Sequence, residues 1–346
     1  MESPSGTAVQ VESVEQAPPL TARLKQRRTW LSFLVGFGLL FLAIRRLDVD
    51  PASIWGTMRQ ADLHLYLTAL VVFYLTFVFR SLRWQKLLRN VGFDASGGVT
   101  LPRLLRLAEI ILESWFVNCL VPARLGDAYR AYLLKHDAGV SFSKTFGTVL
   151  AERILDLVVL FALLGLAAVA AFGAALPSEV SWLVDVALLL AVVLIVGVAA
   201  MRLLGGRIRR WLPRRFHYQY GLLEEGTLRS FQGLPLLGLY TALAWMMEAG
   251  RLHFVLLSLG LHHIHPAVPL FLSLAGALLT TVPFTPAGLG FVEAGLVGLL
   301  MLFGGLGLIG GMNHELAVAV AVLDRTISYW SVIVVGAVLH LLRGTR

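Results

Sequence analysis

Apolar residues form long blocks along the chain, separated by short polar and basic segments. Several blocks are 17 to 27 residues long, and about 20 apolar residues are enough for a helix to cross a hydrocarbon core of about 30 Å. We therefore expect an all-α polytopic membrane protein with about six full spans. These spans are predicted at 30–47, 63–80, 153–175, 183–204, 234–259 and 316–342.

Two further apolar stretches, at 104–135 and 267–305, contain helix-breaking residues. Non-helical backbone at membrane depth is tolerated only where it lines a cavity or is buried in protein. Each stretch is therefore predicted to be a re-entrant hairpin or, alternatively, two short spans. The breaks fall at Pro122, Gly126, Pro283, Pro286, Gly288 and Gly290.

The two broken stretches resemble each other. Pro122-Ala-Arg-Leu-Gly126 and Pro286-Ala-Gly-Leu-Gly290 agree at four of five positions, and an acid–arginine dipeptide follows each. Inverted repeats with matching broken helices are typical of transporters, whose binding sites lie near the breaks. We predict approximate inverted halves at 63–175 and 234–342, with the two hairpin tips close together inside the membrane.

The distribution of basic residues predicts the orientation of the chain. With the N-terminus inside, cytoplasmic segments hold 23 of the 29 lysines and arginines, as the positive-inside rule requires. Both termini are therefore expected in the cytoplasm, with the protein in the inner membrane. Residues 1–28 are predicted to be a disordered tail, and 29–346 a single transmembrane domain.

One basic segment, 80–91, has the pattern of an amphipathic helix at the cytoplasmic interface. Trp84, Leu87, Leu88 and Val91 share one helical face. Arg83 is predicted to lie largely away from that face. A second basic patch follows between Arg207 and Arg215 and is expected to anchor the topology or to bind anionic lipid.

Composition agrees with a membrane protein and excludes several other classes. The chain is 57% hydrophobic and 14% charged, with a mean hydropathy of +0.76, which a single soluble core cannot accommodate. The net charge of +8 is accounted for by topology, so no nucleic-acid partner is expected. The single cysteine excludes an intrachain disulfide. No cofactor or metal is expected, because the loop histidines His262, His263 and His265 lack an adjacent carboxylate.

Charged residues inside the predicted membrane segments are the main functional candidates. Each costs about 2.5–3.5 kcal/mol at the centre of a membrane unless it is paired, hydrated or bound to a polar ligand. Structural ion pairs such as Glu248–Arg251, an interfacial cluster around Glu152, and simple helix caps at Asp127 and Glu293 are the alternatives to a binding role. The candidate headgroup-binding residues are Arg124, Asp127, Arg130, Glu152, Arg153, Asp156, Glu248, Arg251, Glu293, Asp324 and Arg325.

The breaks suggest the chemistry of the ligand. A half-helix that begins after Gly126 or Gly290 directs free N–H groups and a positive dipole end into the membrane. Arg124 and Arg130 flank the first of these turns and could hold the same anion with bidentate hydrogen bonds. A phosphate is therefore the expected ligand, and six charged residues are predicted to line one cavity. They are Arg124, Arg130, Glu152, Arg153, Asp324 and Arg325.

At this point the motifs resemble a known family, the transmembrane region of lysylphosphatidylglycerol synthases, which also occurs as free-standing flippase-like membrane proteins. The motifs are Arg80-x-x-Arg-Trp84, Asn118-x-x-x-Pro-Ala-Arg-Leu-Gly-Asp-x-x-Arg130, Glu152-Arg-x-x-Asp156, Pro283-x-x-Pro-x-Gly-x-Gly-x-x-Glu293 and Asp324-Arg-x-x-x-Tyr-Trp330. Asn118 and Tyr329 join the candidate headgroup-binding residues through these motifs. The resemblance implies translocation of an anionic phospholipid or a polyprenyl-phosphate-linked lipid. We expect a free-standing member without the synthase domain.

Two other functions remain open from the sequence. Asp48 and Asp50 form an acidic pair on the first outer loop, as in membrane glycosyltransferases that use polyprenyl donors. A turn before Pro51 explains the same pair without catalysis, so we do not expect an enzyme. A non-catalytic scaffold for a separate lipid-modifying enzyme is the third possibility, with membrane lipids as the remaining partners.

Overall fold

The computed structural model describes residues 38, 50–121, 124–173, 177–280 and 285–344. The predicted tail at 1–28 lies outside the described residues, as does the predicted first span at 30–47 apart from residue 38. Asp48 and the break residues Pro122 and Pro283 also lie outside them.

The described residues form twelve α-helices and no β-strand, so the all-α prediction is confirmed. A π-helical segment, Thr326–Trp330, joins the last two helices, and π-bulges of this kind often occur at functional sites. The helices are α1 (Pro51–Arg59), α2 (Leu63–Asn90), α3 (Leu104–Leu120), α4 (Gly126–Ala138), α5 (Phe142–Phe172), α6 (Ser178–Trp211), α7 (His217–Arg229), α8 (Leu234–Ser258), α9 (Ala267–Leu279), α10 (Phe291–Gly305), α11 (His314–Arg325) and α12 (Ser331–Gly344).

Five segments of the described chain are long and apolar enough to cross a membrane. They are Leu63–Gly97, Phe142–Phe172, Ser181–Trp211, Pro286–Gly305 and His314–Arg343. The 25-residue helix α8 is not among them, because Glu248, Arg251 and His253 lower its hydropathy. The chain is therefore a multi-pass membrane protein, and the predicted span at 234–259 is a helix whose membrane crossing stays a prediction.

Two helices extend beyond the membrane spans predicted within them. The span predicted at 63–80 continues as α2 to Asn90, and the span predicted from residue 153 begins as α5 at Phe142. Both helices extend through charged residues because those charges are buried against partners from other helices. The loop predicted at 45–62 contains the short helix α1, whose N-cap Asp50 accepts a hydrogen bond from Ala52 N at 3.1 Å.

Both broken stretches have the predicted helix–break–helix form. α3 ends at Leu120 and α4 begins at Gly126, while α9 ends at Leu279 and α10 begins at Phe291 after a 3₁₀ turn at Pro286–Gly288. The orientation of these hairpins relative to the membrane stays a prediction.

The two halves of the bundle repeat the same set of packing contacts. α2 packs on α3 as α8 packs on α9, and α3–α4–α5 contact in series as α9–α10–α11 do. The two halves also contact each other in matching positions, because α3 packs on α12 and α9 packs on α5. The longest interface joins α2 to α8, the first helix of each repeat. The two breaks consequently meet across the centre of the molecule.

A close backbone approach fixes the first break. A Cβ atom on Gly126 would lie only 1.9 Å from the carbonyl oxygen of Ser114 in α3. The Gly126 N–H donates to the side-chain oxygen of Asn118 at 2.8 Å, which satisfies the first N–H of α4. Glycine is therefore required here because α4 folds directly back against α3.

We predict that Gly126→Ala destabilises the folded protein by about 1–3 kcal/mol, because overpacking forces the α3–α4 hairpin apart. The thermal transition of the protein purified in detergent is the measurement. Gly165→Ala in α5 is the matched control, since a Cβ atom there meets nothing within 4 Å. Equal transitions for the two variants would contradict the close approach.

Candidate functional site

A cavity of about 430 Å³ lies between the two halves, where the breaks face each other. Residues beside both breaks line it, and Arg124 of the first break donates to Thr280 Oγ1 beside the second at 3.1 Å. Nine of the candidate headgroup-binding residues lie in its wall. They are Asn118, Arg124, Asp127, Arg153, Asp156, Glu248, Arg251, Asp324 and Arg325.

The cavity is polar on one part of its wall and apolar on another. The apolar lining comes from leucines of α5, α6, α8, α9 and α10 together with valine, alanine and glycine. Among its described side chains, α6 contributes Leu190 and Leu194 to the wall, and the neighbouring residues Leu189 and Val193 are exposed on the outer surface. The cavity therefore combines a charged region with an apolar region next to the bilayer-facing helix α6.

In the first half, the half-helix α4 is tied to α5 by an arginine–carboxylate pair. Arg153 donates to both oxygens of Asp127, at 2.8 and 3.0 Å, and its other terminal nitrogen reaches Asp156 at 3.2 Å. Asp127 is thus an ion-pair partner and does not serve as the simple helix cap that was its alternative. Arg153 and Glu152 are not partners of each other, although they are adjacent in the sequence.

Arg130 and Glu152 lie behind the cavity wall, so the prediction that they line it was wrong. Arg130 donates to both oxygens of Glu152, at 3.0 and 2.8 Å, and its guanidinium stacks on Trp84 at 3.8 Å from the ring centroid. Arg83 approaches the same carboxylate at 3.1 Å. The three residues are almost fully buried and support the wall from within the protein.

The second half uses the same arrangement. Arg325 donates from Nε to Glu293 at 2.6 Å and from Nη2 to the carbonyl oxygen of Ala287 in the break at 3.1 Å. Glu293 also accepts from Gly290 N at 2.7 Å, so it acts both as a cap and as an ion-pair partner. It lies behind the wall, outside the lining residues.

The pairing in the two halves follows one rule. The acid in the first turn of each half-helix, Asp127 or Glu293, binds the arginine of the acid–arginine dipeptide in the next long helix. The acid of each dipeptide binds an arginine of the repeat's first helix: Glu152 contacts Arg83 at 3.1 Å, and Asp324 contacts Arg251 at 2.6 Å. The charged residues therefore share the repeat seen in the packing.

The leading N–H groups of the half-helices are already satisfied within the protein. Gly126 N donates to Asn118 and Gly290 N donates to Glu293. The N–H groups of Gly126 and Gly290 are therefore not free for a ligand, and phosphate binding at the half-helix N-termini that follow these glycines stays a prediction.

Arg80 occupies the centre between the two repeats and was missed as a site residue. Its guanidinium lies between the rings of Trp115 and Trp245, at 4.9 and 5.5 Å from their centroids. Asp156 and Glu248 approach it only to 3.9 and 3.6 Å, and it donates no hydrogen bond to any described residue.

The assignment of segment 80–91 to an interfacial helix was consequently wrong for Arg80 and Arg83. Trp84, Leu87, Leu88 and Val91 are buried inside the protein, and so are Arg80 and Arg83, whereas Arg89 is exposed. Carboxylates of α5 and α8 hold these two guanidiniums inside the protein. The spacing of the two arginines, three residues apart on one helical face, was the available signal.

Arg124 has an unusual backbone and an unusual environment. Its φ angle is 52°, in the left-handed region that favours glycine, and its counterpart in the second break is Gly288 with φ 72°. Such a conformation costs a non-glycine residue about 1–2 kcal/mol. Arg124 is half-buried and makes no ion pair with any described residue. The chain keeps an arginine where the backbone favours glycine.

Tyr329 supports the site without entering the cavity. It lies in the π-helical segment and donates its hydroxyl to the carbonyl oxygen of Cys119 at the end of α3, at 3.0 Å. This contact holds the end of α3 just before the first break.

Comparison with known proteins identifies the family of this chain. Residues 29–336 match the family model described as the lysylphosphatidylglycerol synthase TM region. A UPF0104 membrane protein of Methanocaldococcus jannaschii is 33% identical over 228 residues, covering 65% of this chain and 92% of that protein. A UPF0104 membrane protein of Methanothermobacter thermautotrophicus is 26% identical over 336 residues, covering 88% and 93%.

A third similar protein is named for an enzymatic activity. The glycosyltransferase AglD of Haloferax volcanii is 26% identical over 355 residues, which is 91% of this chain and 54% of AglD. The family match includes both breaks and every described helix up to part of α12. The chain belongs to the family of lysylphosphatidylglycerol synthase transmembrane regions.

Proposed function

We propose that this protein is a lipid translocase of the inner membrane, with both termini in the cytoplasm. It would move an anionic phospholipid or a polyprenyl-phosphate-linked lipid between leaflets. The observation that carries the proposal is the amphipathic cavity, in which buried arginines adjoin leucines of the outer helix α6. A lipid has the same division between a charged headgroup and apolar tails.

Unused hydrogen-bond donors in the polar region support an anionic headgroup. Arg80 Nε, Trp245 Nε1 and the Thr285 hydroxyl are buried without a hydrogen-bond partner among the described residues, and all three side chains line the cavity. A buried polar group without a partner costs about 1–3 kcal/mol. Phosphate oxygens would accept from these donors, with Arg124 as a charged donor beside them.

The repeated ion pairs support a mechanism of alternating access. Each break is anchored to the following long helix by one arginine–carboxylate pair, Arg153–Asp127 or Arg325–Glu293. In transporters built from inverted repeats, one repeat rocks against the other around a fixed central site. The headgroup would remain at the level of Arg80 while the cavity opens first on one side and then on the other.

The relative AglD favours one alternative, a membrane glycosyltransferase that uses a polyprenyl lipid. Against a catalytic acid on the first loop, Asp50 is exposed and caps α1. This chain also aligns with only 54% of AglD, so the name of AglD is not by itself evidence that this chain is a glycosyltransferase. A separate lipid-modifying enzyme as a partner remains compatible with translocation.

We predict that Arg124→Gly abolishes lipid movement without destabilising the protein. Glycine relieves a left-handed conformation that costs arginine about 1–2 kcal/mol, so the thermal transition should stay constant or rise. Lipid exchange between leaflets of proteoliposomes is the functional measurement. Normal exchange at normal abundance would show that Arg124 takes no part in headgroup binding.

We also predict that Arg153→Ala reduces exchange by about tenfold or more, and that Arg153→Lys recovers only part of it because the bidentate contact to Asp127 is lost. The double variant Asp127→Ala with Arg153→Ala separates binding from structure. It removes both members of the pair and leaves neither Asp127 nor Arg153 as an unpaired charge. Recovery of normal exchange in this variant would reduce both residues to a structural ion pair.

For the enzyme alternative, we predict that the double variant Asp48→Asn with Asp50→Asn keeps nearly normal activity in lipid exchange between the leaflets of proteoliposomes. Asparagine caps a helix about as well as aspartate, so α1 should form normally. Loss of activity with normal protein abundance would instead favour a glycosyltransferase-like mechanism.

A further inference from the structure

The charged residues around the cavity form a balanced set with one exception. Five arginines and five carboxylates are connected by contacts of 4 Å or less into one network that crosses both repeats. Arg325 and Glu293 form a further pair. The network consists of Arg80, Arg83, Arg130, Arg153 and Arg251 with Asp127, Glu152, Asp156, Glu248 and Asp324.

Arg124 is the exception, since it lines the cavity and has no carboxylate partner among the described residues. The residues at the two breaks outside the described part, 122–123 and 281–284, contain no ionisable side chain. Counted over the described residues, the cavity wall and its supporting ion pairs hold seven arginines and six carboxylates, which leaves a net charge of one positive unit, contributed by Arg124.

We propose that this single surplus charge selects lipids whose headgroup is a phosphodiester with one negative charge. The inference rests on the proposed function and specifies its substrate class. An uncompensated charge in a low-dielectric site is strongly unfavourable. A monoanionic phosphodiester neutralises Arg124, whereas a phosphomonoester or a diphosphate brings at least one unmatched negative charge.

A zwitterionic headgroup is disfavoured for the complementary reason. Its phosphate would neutralise Arg124, but its ammonium group would need a carboxylate. Each of the six carboxylates already lies within 4 Å of an arginine. Glycerophospholipids and polyprenyl phosphosugars share the selected chemistry, because both contain a phosphodiester of charge −1.

Competitive lipid binding tests the charge rule directly. The full-length protein in neutral detergent is mixed with equal amounts of dioleoyl phosphatidylglycerol, phosphatidic acid and phosphatidylethanolamine. At about pH 8.5 a phosphomonoester carries about two negative charges. Native mass spectrometry then measures the bound lipid. We expect phosphatidylglycerol to be retained about tenfold or more over each competitor, and equal retention would overturn the rule.

Two variants change the surplus charge in opposite directions. Arg124→Gln removes the surplus, so the preference for phosphatidylglycerol over phosphatidylethanolamine should fall to near parity. Glu248→Gln raises it to two, so phosphatidic acid should match or exceed phosphatidylglycerol. Glu248 is chosen because its arginine contacts are long, at 3.4 and 3.6 Å. Arg103→Gln, an exposed arginine directly before α3 that lies outside the cavity wall and makes no ion pair with a described residue, is the control and should keep the wild-type ranking.

Each outcome has a defined meaning. An unchanged lipid ranking in Arg124→Gln would overturn the proposal. This variant breaks no described ion pair, so its result is decisive even if Glu248→Gln does not accumulate. A parallel competition between a polyprenyl phosphohexose and a polyprenyl diphosphate examines the other lipid class, where preference for the diphosphate would also overturn it. Leaflet exchange, measured after the same purified protein is reconstituted into proteoliposomes, separates the two proposals. Charge-selective binding without exchange would overturn only the translocase proposal, and exchange without charge preference would overturn only the charge rule.

Discussion

The structure depends on pairing of buried arginines with buried carboxylates inside an apolar helical bundle. An isolated charge in such a bundle is expensive, and removing one member of a buried pair typically costs about 3–5 kcal/mol. The network links α2, α4, α5, α8 and α11, so these helices can pack only in the arrangement that joins each guanidinium to its acid. Packing and electrostatics therefore specify the same fold.

The breaks in the two hairpins make these ion pairs possible. A continuous helix could not place Asp127 against Arg153 and at the same time return along α3, whereas the turn at Gly126 allows both. The second break does the same for Glu293 and Arg325. The left-handed backbone at Arg124 then directs the surplus guanidinium towards Thr280 of the other repeat. The polar part of the cavity is thus a product of the hairpin geometry.

A cavity of this kind is suited to holding a lipid headgroup beside its tails. Most of its charges cancel within the protein, which keeps the bundle stable before any ligand binds. Among the described residues of the wall, the buried donors without a hydrogen-bond partner are Nε of Arg80, Nε of Arg251, Nε1 of Trp245 and the Thr285 hydroxyl. Together with the Arg124 guanidinium, these groups match phosphate oxygens. The same pairing occurs in both repeats, which is compatible with the proposed mechanism, in which the halves would move around a fixed site.

The membrane class, the all-α fold, the positions of both breaks and most of the charged residues of the cavity wall could be predicted from the sequence, because hydropathy and proline–glycine punctuation are local properties. Which charges pair could be read only from the packed helices. Arg153 binds Asp127 from another helix and leaves its neighbour Glu152 to Arg130. Arg80 and Arg83, which a local pattern assigned to the interface, are buried because α5 and α8 bring carboxylates to them. Partner choice depends on distances between helices, which no local pattern contains.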